Sequence, residues 1–199
     1  MWDDVQRAAA EAAGVAIEPR VRPLFPSPSP GVLELMSGWA GTSFGGGAYR
    51  LLRLDEVDAH VERCVALVPE AEGRIRCFGT DWLGRSWGYY VDEPRVAVVE
   101  PYSAELLSAP FTVLEWHAAE IPDGILEDEL WDFWVARNPV PAEDQCVGLK
   151  VPMFLGGDLE PDNLSLSDRD VYWEICTQLR RQMADLPAGT SIDSVRLEG

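Results

Sequence analysis

Residues 74–107, RIRCFGTDWLGRSWGYYVDEPRVAVVEPYSAELL, decide the fold. Four segments within it, 74–78, 86–91, 95–100 and 105–107, are rich in β-branched and aromatic residues, and glycine, proline and acidic turn signals separate them. Gaps this short leave no room for crossover helices. Consecutive segments must therefore pair as hairpins, and the predicted centre of the chain is a meander of antiparallel strands.

Helical patterns lie on both sides of this centre. Upstream, residues 32–39 suit a short helical turn, and Gly45, Gly46 and Gly47 make a flexible loop before the apolar run 48–54. Asp55 is a candidate cap for a helix that carries Val57, Val61, Cys64, Val65 and Val68 on one face and stops at Pro69. Downstream, Thr112 and Glu115 have the spacing of a capping box for a helix over 113–119. A second helix is predicted over 123–137, with Leu126, Leu130, Phe133 and Trp134 facing the core. A third is predicted over 167–184, with Ser167 and Asp170 as its cap and Val171, Ile175, Leu179 and Met183 as its apolar stripe. The expected fold class is α+β: a central antiparallel sheet flanked by helices at both ends of the chain. Residues 1–31 read as an N-terminal helix followed by an arm that Pro19, Pro23, Pro26, Pro28 and Pro30 keep out of helix and interior strand; residues 32–199 read as one domain.

The chain has 199 residues and a formal net charge of -18. A field of that sign repels nucleic acid and anionic lipid and attracts basic surfaces, although acidity also serves solubility alone. The excess is concentrated: residues 100–170 hold sixteen acids against Arg137, Lys150 and Arg169. Glu127, Asp128, Glu129 and Asp132 crowd the helix predicted over 123–137, and Asp158, Glu160 and Asp162 follow Gly156 and Gly157. These seven acids are the candidate partner-binding residues. No apolar run approaches the roughly twenty residues of a membrane helix. Cys64, Cys77, Cys146 and Cys176 are widely spaced with no secretory leader before them, so reduced thiols, no membrane association and a cytoplasmic location are expected.

The pattern offers little for catalysis. The two histidines, His60 and His117, both fall inside predicted helices, and no Gly-x-Ser-x-Gly elbow occurs. Gly45–Gly47 lack the Lys-Ser or Lys-Thr of a phosphate loop, and Lys150, the one lysine, is far away. The stretch 158–162 lacks the closing glutamate of a calcium loop, and Pro161 interrupts it. Neither a metal nor a cofactor is expected, and no catalytic residue is assigned. Most of the eight tryptophans fall where an apolar neighbour is expected and are assigned to the core.

Four motifs in order resemble the SUKH superfamily of bacterial toxin-immunity proteins, in particular its type VI secretion branch. They are WAGTSFGGGAYRLLRL at 39–54; CFGTDWLGR at 77–85; a strand, acid and proline leading to a helix with Phe111, Glu115 and His117 over 100–117; and CVGLKVPMFLGGDLEPDNLSLSDRDVYWEICTQ at 146–178. In residue terms Asp81, Trp82, Gly84 and Arg85 suit a tight turn joined by a charge-assisted hydrogen bond, and Gly156 and Gly157 suit a bend. Asn163 is a candidate cap for the last helix, and Tyr172 and Trp173 belong to the fourth motif. The resemblance implies a non-catalytic protein that binds and blocks a cognate toxin, such as a nuclease effector with a basic groove. Two alternatives stay open, a regulatory or scaffolding protein-binding module of the same fold and an acid-dependent hydrolase. Oligomeric state is not legible.

Overall fold

The computed structural model describes residues 31–120, 125, 128–184 and 186. The N-terminal helix and most of the proline arm expected over 1–31 lie outside the described residues, as do Glu127, Leu126 and the tail after 186.

The meander read over 74–107 forms, and two strands before it, which were not anticipated, extend its sheet. Strands β1 (Ser43–Phe44), β2 (Tyr49–Leu51), β3 (Ile75–Asp81), β4 (Ser86–Tyr90), β5 (Val96–Glu100) and β6 (Glu105–Ala109) pair in sequence order, all antiparallel, in one six-stranded sheet. Gly45–Gly47, expected as a flexible loop, instead form a short 3-10 turn between the first two strands. A separate two-stranded sheet, β7 (Gln145–Leu149) with β8 (Leu164–Asp168), was not anticipated.

Helix α1 (Val32–Trp39) precedes the sheet, and α2 (Val57–Leu67) follows β2. The fold is α+β, as expected. Alternation along β4 assigns the two faces of the large sheet: Ser86 meets His60 from α2, and Trp87 meets Trp116 from α3 (Val113–Glu120) at a ring separation of 4.4 Å. Tyr49 and Phe78 join the same aromatic layer under α3. Trp39, Trp82, Trp87, Trp116, Trp131, Trp134 and Trp173 are all buried, which places them in the core as expected. The predicted box at α3 is present, with Thr112 N donating to Glu115 Oε2 and Glu115 N to Thr112 Oγ1.

Several helix readings are corrected. Asp55 does not cap α2: Glu56 holds the cap position, and its carboxylate turns back to the Arg53 amide and guanidinium, leaving Asp55 in solvent. Of the helix predicted over 123–137, the described residues show α4 (Glu129–Val135), which buries Trp131 and Trp134, while Phe133, assigned to the core, is only half-buried beneath Arg137. The last helix, α5 (Arg169–Met183), begins two residues later than expected. Ser167 belongs to β8, paired with Cys146, so Asp168 is the residue left at the strand-to-helix junction to accept the Val171 amide. The buried face lies beside the predicted stripe and shares Leu179 with it. Val171, expected in the core, is 56% exposed, whereas Tyr172, Trp173, Cys176, Thr177 and Leu179 are buried.

Trp173 donates Nε1–H to the Gly84 carbonyl, and the Tyr172 hydroxyl accepts the Leu149 amide, so α5 clamps the large sheet to the small one. The four cysteines are buried free thiols. Among the described residues no helix is long and apolar enough to cross a membrane.

Candidate functional site

The second motif is architectural. The fully buried Asp81 carboxylate accepts the Leu83 and Arg85 amides through Oδ1, each at 3.1 Å, and through Oδ2 it accepts Arg85 Nε at 2.5 Å and Trp87 Nε1 at 2.9 Å. Burial pushes this carboxyl above its ordinary range, against the pull of the Arg85 guanidinium and the Trp87 donor. Gly84 supplies the left-handed turn at φ +77. Arg85 lies 5.2 Å from the Trp87 ring and reaches toward Glu100, which accepts the Tyr102 and Ser103 hydroxyls. Every oxygen of Asp81 is spent on holding the β3–β4 turn, and Trp82 is buried beside it. The expected strand-fixing role of Asp81, Gly84 and Arg85 is what the geometry displays.

Both nitrogens of His117 are equally occupied. His117 Nδ1 donates to the Val113 carbonyl at 2.7 Å, which leaves Nε2 to accept the Tyr49 hydroxyl at 3.1 Å. Burial lowers His117 to about 4 and holds His60 well below its ordinary value, so both are neutral rings in the core at pH 7. Among the described residues no group of three or more histidine, cysteine or carboxylate side chains is placed to hold a metal.

The acidic segments tell more, because the fold brings them together. Helix α4 packs against the turn Pro161–Asn163, so the acidic helix lies beside the 158–162 stretch although some thirty residues separate them. Glu129, Asp132, Asp158, Glu160 and Asp162 are all exposed. Asp128 is not free in the same way: its carboxylate caps α4 by accepting the Leu130 and Trp131 amides. The seventh candidate, Glu127, lies outside the described residues.

Asn163 does not cap the last helix; it staples the loop that carries this face. Its Oδ1 accepts the Val151 amide and its Nδ2 donates to the Val151 and Asp158 carbonyls. Gly156 takes φ +90, while Gly157 is required for space, since a Cβ there would lie 1.8 Å from the Val151 oxygen. The loop so pinned exposes Val151, Met153 and Leu159 at 46%, 43% and 38%. Apolar side chains held in solvent by a rigid loop and bordered by carboxylates have the composition of a protein interface, an apolar centre with a polar rim. Sequence reasoning found the acids and missed these apolar residues. Their signal was weak, because Val-Pro-Met-Phe-Leu reads equally well as core.

No protein-family description matches the chain, and no curated protein matches it. Among solved structures it is similar to Atu4351 from Agrobacterium tumefaciens, with 14% identity, a TM-score of 0.50 and 71% of each chain covered. That likeness supports the fold.

Proposed function

We propose that this protein is an immunity protein of the SUKH kind, which binds a basic cognate toxin through the face built from α4 and the 150–163 loop and blocks it sterically. The observation that carries the reading is that α4, with exposed Glu129 and Asp132, packs against the turn Pro161–Asn163 of the loop that exposes Asp158, Glu160 and Asp162 together with Val151, Met153 and Leu159. A net charge of -18 draws a basic partner in, the carboxylates orient it, and the apolar centre supplies burial once water is expelled. Two cations, Lys150 and Arg137, belong to the same segments and keep their charge. Lys150 is bound to the Asp162 carbonyl, and Arg137 lies over the Phe133 ring.

The test uses the protein encoded immediately upstream as the candidate toxin. Binding kinetics are measured for the wild type and for Glu129→Lys, Asp132→Lys, Asp158→Lys and Glu160→Lys combined. Steering predicts an association rate lower by about tenfold or more at low salt, with the gap closing as salt rises, and unchanged urea unfolding. Loss of protection against the toxin in cells should follow. Equal association rates and full protection would remove this face from the reading. Binding of an endogenous protein, with none to the upstream product, would favour the scaffolding alternative.

A further inference from the structure

Among the described residues, the hydrogen bonds of the 150–163 loop close mostly on the loop itself. Lys150 N donates to the Asn163 carbonyl, Asn163 ties Val151 to Asp158, and the amides of Leu155, Gly156 and Gly157 return to Pro152 and Met153. The first amides of the short 3-10 turn Met153–Leu155 have no such partner within the loop, and Pro152 at its cap position supplies no side-chain bond. They cross to the large sheet instead. The Tyr102 carbonyl accepts Met153 N at 2.8 Å and Phe154 N at 3.4 Å. Met153 is also one of the three exposed apolar residues that the loop presents.

Tyr102 lies in the turn that joins β5 to β6, and that turn has a backbone conformation that L-residues avoid. Ala104 has φ +55 and is buried; among the described residues no other non-glycine residue has a positive φ. Backbone of this kind persists only where its surroundings impose it. Here Glu100 does so from both ends of the residue. Its carbonyl accepts Ala104 N at 2.9 Å, and its carboxylate accepts the Tyr102 hydroxyl at 2.9 Å and the Ser103 hydroxyl at 3.0 Å, with Arg85 Nη1 at 3.8 Å. Register sets Glu105 directly opposite Glu100, and repulsion between like charges in that position favours a Glu100 carboxylate turned to the hydroxyls and Arg85. Only 15% of the Glu100 side chain is exposed.

We propose that Glu100 is a positioning residue for the partner-binding face. By gathering the Tyr102 and Ser103 hydroxyls it sets the β5–β6 turn so that the Tyr102 carbonyl anchors Met153, and the Asn163 bonds carry that order to Val151 and Asp158. Glu100 acts through the turn, not on the partner. The partner then meets a loop already in its bound shape, so little ordering cost falls on the complex. The consequence for binding rests on the function proposed above; the anchoring does not.

The test is Tyr102→Phe combined with Ser103→Ala, which removes both hydroxyls and leaves Glu100, Arg85 and the exposed acids in place. Amide hydrogen exchange of the full chain, followed by NMR, should show Met153 and Phe154 exchanging about tenfold faster or more, with the amides of β4 unchanged. Glu100→Gln should act in the same direction and less strongly, since its amide oxygen still accepts one hydroxyl. Against the protein encoded immediately upstream, the double variant should dissociate about tenfold faster while its association rate, which the charges steer, changes by less than about twofold. Charge reversal on the acidic face has the opposite signature, so positioning and steering are read separately. Unchanged exchange at Met153 and Phe154 in both variants would overturn the anchoring, as would equal acceleration across β4, which is the mark of a general loss of stability. Released amides with an unchanged dissociation rate would overturn the role in binding. A wild type that does not bind the upstream product fails the function proposed above, while the exchange result still decides whether Glu100 holds the loop.

Discussion

Removing the Arg85 side chain tests the β3–β4 turn most directly. The Arg85→Ala change deletes one hydrogen bond of 2.5 Å to Asp81 and the contact with the Trp87 ring, and it leaves the Asp81 carboxylate with three neutral donors, Leu83 N, Arg85 N and Trp87 Nε1. A hydrogen bond to a charged group contributes about 1.5–3 kcal/mol, and the side chain of Arg85 retains 18% exposure, so solvent recovers part of the loss. The predicted cost is about 1–3 kcal/mol. Asp81→Ala should cost more, about 3–5 kcal/mol, because it strands a largely buried guanidinium together with the Trp87 indole and two amides. The double variant should then cost less than the sum, by about 1–2 kcal/mol, since neither partner remains to be stranded. Urea unfolding followed by tryptophan fluorescence measures all three, with the denaturant slope checked for constancy. Additive losses, or a cost below about 0.5 kcal/mol for Arg85→Ala, would refute the reasoning.

Acid should weaken the fold earlier than ordinary carboxylate titration does. His117 ionises at about 4 in the fold against 6.5 in the unfolded chain, so the unfolded state binds more protons between those values and stability falls as pH drops through that window. The full loss from His117 is about 3 kcal/mol, His60 adds in the same direction, and His117→Gln should flatten the profile between pH 6.5 and 4 in equilibrium unfolding. Gly156→Ala should cost about 1–2 kcal/mol for its left-handed backbone alone, as nothing crowds a Cβ there, whereas Gly157→Ala should cost more and release the 150–163 loop to proteolysis. On α5, Val171→Thr should stay within about 0.5 kcal/mol of the wild type and Trp173→Ala should lose about 3–5 kcal/mol; the reverse order by calorimetry would return Val171 to the core.

What the sequence determined by itself was local in origin. Strand periodicity and turn residues between 74 and 107 define the meander because each hairpin closes within a few residues, and the spacing from Asp81 to Arg85 defines a turn bond for the same reason. Thr112 and Glu115 announced their helix because a capping box involves only four residues. The acids were visible as composition. Their union was not, since it depends on α4 meeting the Pro161–Asn163 turn. Only the tertiary structure decided which face of α5 is buried. Pairing of Ser167 with Cys146 extends a strand into what local pattern reads as a helix start, and the sheets that α5 meets select the face of Tyr172, Trp173 and Cys176, roughly a quarter-turn from the stripe that local pattern picks out. The same holds for Tyr102 and Met153, which are distant in sequence and unremarkable one by one. The β5–β6 turn meets the 150–163 loop through the packing of the whole core, which no local pattern encodes.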